Sequence, residues 1–219
     1  MREFGALQRA YSGINLHRNW TFGPRAPLRT APRADERFDV LQDGGGNLAL
    51  VISNFPPPVK RRLVESLREL IDGVQGIDTP ARAGIVDLFL DEGDDRQIPA
   101  SRLSDGTLRY LSLLAILLNP EPPPLVAIEE PELGLHPDVI PHIAKLLVEA
   151  SSRMQLVVTT HSRMLVDCLN ETPESVVVCE RVDGESQFRR LDPEVMKHWL
   201  DKYSLGELWS DGVIGGNRW

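Results

Sequence analysis

Apolar positions fall into short runs and stripes that alternate along the chain. Over 59–71, Val59, Leu63, Leu67, Leu70 and Ile71 recur at helical spacing behind Pro56-Pro57-Pro58, which predicts an amphipathic helix. Residues 85–90 (IVDLFL) read as a strand. From residue 103 the pattern sharpens. Leu108, Leu111, Ala115 and Leu118 form a stripe that predicts a helix of about four turns, stopped by Asn119-Pro120. A buried strand over 125–129 follows, then a helix over 138–150 with Val139, Ile143, Leu146, Leu147 and Ala150 inward. Pro141 falls in its first turn, where a missing N–H costs little. Next come a strand over 156–160, a short helix over 162–169, a strand over 175–179 and a last helix over 195–203. Leu205, Leu208 and Trp209 also have helical spacing, and packing onto the sheet is the plain reading for that tail. Apolar strands alternating with amphipathic helices predict an α/β fold, a mostly parallel sheet flanked by helices. Such sheets bind ligands at the carboxyl ends of their strands.

Composition adds limits. The 219 residues are 42% hydrophobic and 26% charged, ordinary for one large globular domain or two small ones. The longest apolar stretch, 110–118, falls far short of the roughly 20 residues a membrane-spanning helix needs. Met1 to Gly5 has no apolar run behind its positive charge, so no secretory signal is expected and a cytoplasmic location is the default. The 24 basic and 32 acidic residues leave a net charge of −8, which argues against nucleic-acid binding over the whole surface but not on a local face. Cys168 and Cys179 make neither a disulfide framework nor a zinc site; both lie in apolar-patterned segments and read as small core residues. Residues 23–34 (GPRAPLRTAPRA) read as an extended connector, and Gly44-Gly45-Gly46 as a flexible turn.

Three clusters carry candidate chemistry. The first is LSDGT at 103–107, at a helix start. Ser104 or Asp105 can cap the helix, Gly106 allows close backbone approach, and the free N–H groups suit an anion; an ordinary N-cap is the plainer reading. The second is a strand ending in Glu129-Glu130. Adjacent like charges repel unless a cation meets them, and Mg²⁺ on one carboxylate leaves the other to orient a water; a solvated acidic loop is the alternative. The third is VVTTHS at 157–162, where His161 follows a buried strand and could donate to developing phosphate charge, or be structural.

Taken in order, the three clusters resemble the ATPase heads of the ABC type, as in SMC and RecF proteins and the related bacterial ABC-like AAA ATPases. LSDGT (103–107) resembles the ABC signature, LVAIEEPELGLHP (125–137) the Walker B strand with its D-loop, and VVTTHS the histidine switch. The closing LGELWSDGVIGGNRW (205–219) resembles the C-terminal end of many bacterial ATPases of this group. The resemblance implies ATP and Mg²⁺ as cofactors. Glu129 stands where the metal-holding aspartate is usual, Glu130 where the catalytic glutamate is, and His161 where the γ-phosphate sensor is. Ser104, Asp105, Gly106 and Thr107 stand where a head contacts the nucleotide held by the opposite subunit, and Gly134, Leu135 and His136 in the D-loop. Glu129 is one methylene longer than the usual aspartate, and Asp105 replaces a usual glycine, placing a negative charge beside a phosphate site.

A P-loop needs Gly-Lys-Ser/Thr after a Gly-rich turn, and none of Lys60, Lys145, Lys197 and Lys202 has that context. The chain therefore reads as a partial P-loop NTPase. Residues 1–102 form a connecting segment and small lobe, and residues 103–219 the C-terminal half of the core. Expected partners are ATP and either a second copy or a chain carrying the P-loop half. A sheet lacking those neighbours is expected to expose apolar faces and edges. DNA is a further candidate partner through Arg153, Arg163, Arg181, Arg189 and Arg190, against the plainer reading as solvated surface. Two alternatives stand beside ATP hydrolysis: a non-catalytic module docking on a P-loop partner, and a metal-dependent nuclease built on Glu129, Glu130 and Glu132.

Overall fold

The computed structural model describes Tyr11 and residues 13–216; Met1 to Gly5 and the last three residues of the closing motif lie outside them. The chain forms two compact units, Met1–Thr159 and Thr160–Trp219.

The first unit is organised around one helix. Helix α3 (Asp105–Leu117) carries its apolar residues on every side, and Leu108, Tyr110, Leu111, Leu113, Leu114 and Ala115 have no exposed surface. The stripe read from the sequence thus understates it: a helix apolar all round belongs inside a core. Ser112 hides its hydroxyl by donating to the Leu108 carbonyl at 2.8 Å, and Tyr110 donates to the Ser66 carbonyl at 2.9 Å. Burial pushes the Tyr110 phenol well above its ordinary pKa.

Three helices pack around α3: α1 (Leu48–Asn54), α2 (Pro57–Leu67) and α4 (Ile140–Ser151). The α2 helix starts two residues earlier than its periodicity suggested, because Pro57 and Pro58 occupy its first turn, where fixed φ and absent N–H suit a helix start. Helix α1 had no counterpart in the sequence reading.

The parallel sheet has the order β1-β7-β8, with β1 Ile14–His17, β7 Leu125–Glu129 and β8 Gln155–Thr159. Its register sets Ile14 against Leu125 and Glu129 against Thr159. Val126 and Ile128 are buried, and α4 covers β8. On the opposite face Ile14, Leu16 and Val157 remain exposed, so apolar side chains on that face face solvent. The strand read at 85–90 is two short ones, β4 (Ile85–Val86) and β5 (Phe89–Asp91). Strand β4 pairs with β3 (Ala81–Arg82), and β5 joins β2 (Gly76–Asp78) and β6 (Gln97–Pro99) in a small antiparallel sheet.

The second unit has its own core. Val166, Val178, Leu191, Met196, Leu205, Leu208 and Ile214 are buried together. They come from α5 (Arg163–Asp167), β9 (Val177–Val182), α6 (Pro193–Leu200), α7 (Leu205–Ser210) and the connecting chain. Here the strand expected to be parallel is corrected: β9 pairs antiparallel with β10 (Glu185–Arg190). Asp183 and Gly184 link them, both at positive φ (52° and 88°), the conformation that Asp-Gly hairpin turns need. The cysteines are corrected too: Cys179 is exposed on β9 and Cys168 half-buried. Among the described residues no helix is long and apolar enough to cross a membrane.

Candidate functional site

The start of α3 is built by Ser104, whose Oγ accepts from the Thr107 amide at 3.0 Å and lies 2.8 Å from the Thr107 hydroxyl. Ser104, not Asp105, is therefore the cap. The Asp105 carboxylate turns to Arg29, 2.6 Å away, and accepts from the Gly23 amide at 3.0 Å. Hydrogen bonds from Arg29 and Gly23 hold this carboxyl below its ordinary range. Arg29 also donates to the Leu103 carbonyl at 2.6 Å, so one guanidinium fastens both sides of the helix start. The charge that looked troublesome beside a phosphate site is thus matched by a cation.

First-turn amides of a helix have no acceptor within it. Among the described residues no side chain accepts from the amides of Asp105 or Gly106. Gly106 belongs to the wall of an open cleft of about 540 Å³, lined also by Ser104, Thr107, Gly134, Leu135 and His136 and by the apolar Leu70, Ile71 and Pro137. A Cβ on Gly106 would lie 3.0 Å from the Gly134 carbonyl oxygen, and Gly134 itself has a φ of 76°. The two glycines let these turns touch. The signature-like and D-loop-like segments therefore meet within the first unit.

At the end of β7 the Glu129 side chain is exposed. Glu130 follows with a φ of 44°, in the left-handed region. Its amide donates to the Thr159 carbonyl at 2.9 Å, and its carbonyl accepts from the Leu133 amide at 3.1 Å and from Arg109. Arg109 comes from α3 and is fully buried. Its guanidinium stacks 3.8 Å from the centre of the Trp20 ring. The Trp20 indole N–H donates to the Glu129 carbonyl at 3.1 Å. Burial lowers the Arg109 pKa to about 10 against the opposing pull of Glu132 and Glu130. His17, buried at the end of β1, stacks near Trp20 with ring centres 6.3 Å apart. Burial lowers its pKa to about 4, against the raising effect of Asp43, so it is neutral at physiological pH.

His161 is exposed in the second unit, just before α5. The described geometry thus gathers Ser104, Asp105, Gly106, Thr107, Glu129 and Glu130 in the first unit, with His161 in the second. Trp20, Arg29 and Arg109 are additions. Only Arg109 left a trace in sequence, as a charge inside an otherwise apolar run.

The donor set suits one Mg²⁺ held by a single carboxylate together with phosphate oxygens and water. Among the described residues no three His, Cys, Asp or Glu side chains gather as a metal cluster, so the carboxylate-cluster nuclease has no assembled site there. Of the five arginines considered for a DNA face, Arg181 is exposed on β9, and the other four meet protein acceptors. Arg153 donates to the Asn119 and Leu117 carbonyls at 2.6 Å each. Arg163 faces Asp167 and Glu207, Arg189 donates to the Ile214 carbonyl at 2.7 Å, and Arg190 donates to the Glu174 carbonyl.

Comparison with known proteins bears on the fold and the family. No curated protein matches the chain. Among solved structures, an Smc head bound to the C-winged helix domain of ScpA matches with a TM-score of 0.54 at 14% identity, over 74% of this chain and 58% of that one. An Smc head with an extended coiled coil from Pyrococcus furiosus, bound to the C-terminal domain of ScpA, gives 0.52 at 16% identity, over 66% and 37%. An Smc head with a coiled coil and joint from Pyrococcus yayanosii gives 0.50 at 16% identity, over 66% and 28%. The chain thus spans 28–58% of these chains, and at such identities the likeness is one of fold: the ATPase head of ABC/SMC type. In sequence, residues 27–167 match the family described as "AAA domain, putative AbiEii toxin, Type IV TA system". With nearly two thirds of its length matched, the chain belongs to that AAA-domain family of P-loop NTPases.

Proposed function

We propose that this chain provides the hydrolytic rim of an ATP-driven head that works as a dimerising conformational switch. The observation behind this reading is the carboxylate pair at the carboxyl end of the central parallel strand, with Glu130 set in a left-handed turn. Magnesium bound with the nucleotide would supply the positive charge that offsets charge developing on the phosphates. Glu129 would hold the metal, directly or through water. Glu130 would orient the attacking water and accept its proton, and His161 would donate to the terminal phosphate. The hydroxyls of Ser104 and Thr107 and the first-turn amides of Asp105 and Gly106 would receive the phosphates of a nucleotide carried by the opposite subunit. The Asp105 carboxylate would anchor that loop through Arg29 rather than touch the nucleotide. The Gly-Lys-Ser/Thr loop would come from outside these 219 residues, on a partner that carries it. A defence or DNA-repair system is the setting that fits such a switch.

The exposed Ile14, Leu16 and Val157 favour a second reading, a docking module on a P-loop partner without turnover of its own. ATP hydrolysis by the purified chain, alone and with candidate P-loop partners, separates the two. Under the first reading one partner yields turnover that Glu130→Gln lowers at least about a hundredfold while ATP stays bound. Turnover unchanged by Glu130→Gln would overturn the catalytic assignment.

A further inference from the structure

Glu130 sits where its neighbours would not put it. A non-glycine residue pays for a left-handed φ, and the residue before a proline is driven toward extended backbone; Glu130 precedes Pro131 and has a φ of 44°. Something outside the local chain has to hold it. The group touching its carbonyl from another element is Arg109, a residue whose own placement is costly. Its neighbours on α3 are Leu108, Tyr110 and Leu111, all without exposed surface. A leucine or methionine at 109 would need no polar partners. The Arg109 Nε and Nη1 atoms have no hydrogen-bond partner among the described residues, and leaving such groups buried costs free energy. Two unfavourable placements therefore meet in a single hydrogen bond. Trp20 completes the arrangement, with its ring against the guanidinium and its indole N–H on the Glu129 carbonyl. Phe22 is a second aromatic neighbour, its ring centre 5.8 Å from the guanidinium carbon.

We propose that Arg109, backed by Trp20, is a positioning residue that holds the Glu129-Glu130 backbone in the left-handed turn and so aims the Glu130 carboxylate. The proposal takes from the preceding section only that Glu130 orients the water. Arg109 belongs to the helix whose start lines the cleft, so the same rigid element carries the cleft wall and the clamp on Glu130.

The test is backbone NMR of the full chain, with thermal unfolding followed in parallel. In the unaltered protein the carbon shifts of residue 130 report left-handed backbone. In Arg109→Met they move to extended values, and the Glu130 amide exchanges at least about tenfold faster, while the amides of Val126 and Ile128 keep their protection. A merely structural role would lower the melting temperature and leave the shifts of residue 130 in place. Arg109→Lys keeps a cation but loses the planar fork, and Trp20→Leu removes both the stack and the indole donor. These two variants decide the matter should Arg109→Met fail to fold: each is expected to shift residue 130 in the same direction by a smaller amount. Left-handed shifts at Glu130 in folded Arg109→Met, or in both milder variants, overturn the proposal. Because the readout is backbone conformation, its failure leaves the Glu130→Gln assay standing, and failure of that assay leaves the clamp standing.

Discussion

Two helix starts in this chain are spelled almost alike. Helix α3 begins Ser104-Asp105-Gly106-Thr107, and α7 begins Ser204-Leu205-Gly206-Glu207. In both, the serine caps the amide three residues on. At α7 every amide of the first turn then finds a protein acceptor. Leu205 donates to the Asn170 side chain at 2.8 Å, Gly206 to Asp167 at 2.7 Å, and Glu207 to Ser204 at 3.2 Å; Glu207 returns a bond to the Ser204 amide at 2.9 Å. A Cβ on Gly206 would lie 2.8 Å from the Arg163 carbonyl oxygen, so that glycine serves a helix crossing. At α3 the acidic side chain turns away to Arg29 and the start opens on a cleft. The words S-x-G therefore describe a cap; what lies across from the amides decides whether the start is closed or open.

The comparison can be broken in several ways. The largest effect concerns acid. His17 has a folded pKa of about 4 against an ordinary 6.5, so the unfolded chain takes up a proton first as pH falls. Stability of the first unit is full above pH 6.5 and declines toward pH 4, by up to about 3 kcal/mol. Thermal unfolding against pH should show this slope, and His17→Gln should flatten it. Next, Gly206→Ala should cost about 2 kcal/mol through overpacking, whereas Gly106→Ala, against a carbonyl 3.0 Å away, should cost about half that. Equal losses by denaturant titration would mean that both starts are structural. Ser104→Ala and Ser204→Ala should each cost about 1 kcal/mol in the same assay, since each serine alone caps the amide three residues on. Smallest of all, millimolar tripolyphosphate should shift the amide resonances of Asp105 and Gly106 and leave those of Leu205 and Gly206 unmoved. Shifts at both starts, or at neither, would erase the distinction.

What the sequence disclosed follows from range. The α3 start, β7 and β8 were legible because a cap, a short apolar run and a following charge are local patterns. Strand β1 was not, since its four residues alternate exposed and hidden and gain meaning only beside β7. Helix α1 follows Gly44-Gly45-Gly46 as an unbroken apolar run, Leu48 to Ile52, which periodicity alone does not assign to helix. The β9–β10 hairpin was announced by Asp183-Gly184, a signal overshadowed by the alternation of strands and helices before it. Within the site, Glu129 and Glu130 were readable as a pair at a strand end. Arg109 and Trp20 were not, because they lie 89 positions apart and only the fold stacks them.

The pairing of β1 with β7 has a consequence for synthesis. Ile14 meets Leu125, so strand β1 waits for a mate about 110 residues downstream. At 5–20 residues per second, that is roughly 5–20 s on the ribosome with Ile14 and Leu16 unpaired. Parallel pairs so distant in the chain form late, after loop closure has been met by other contacts. Slowing the ribosome between those two strands should therefore lower the soluble yield of the chain.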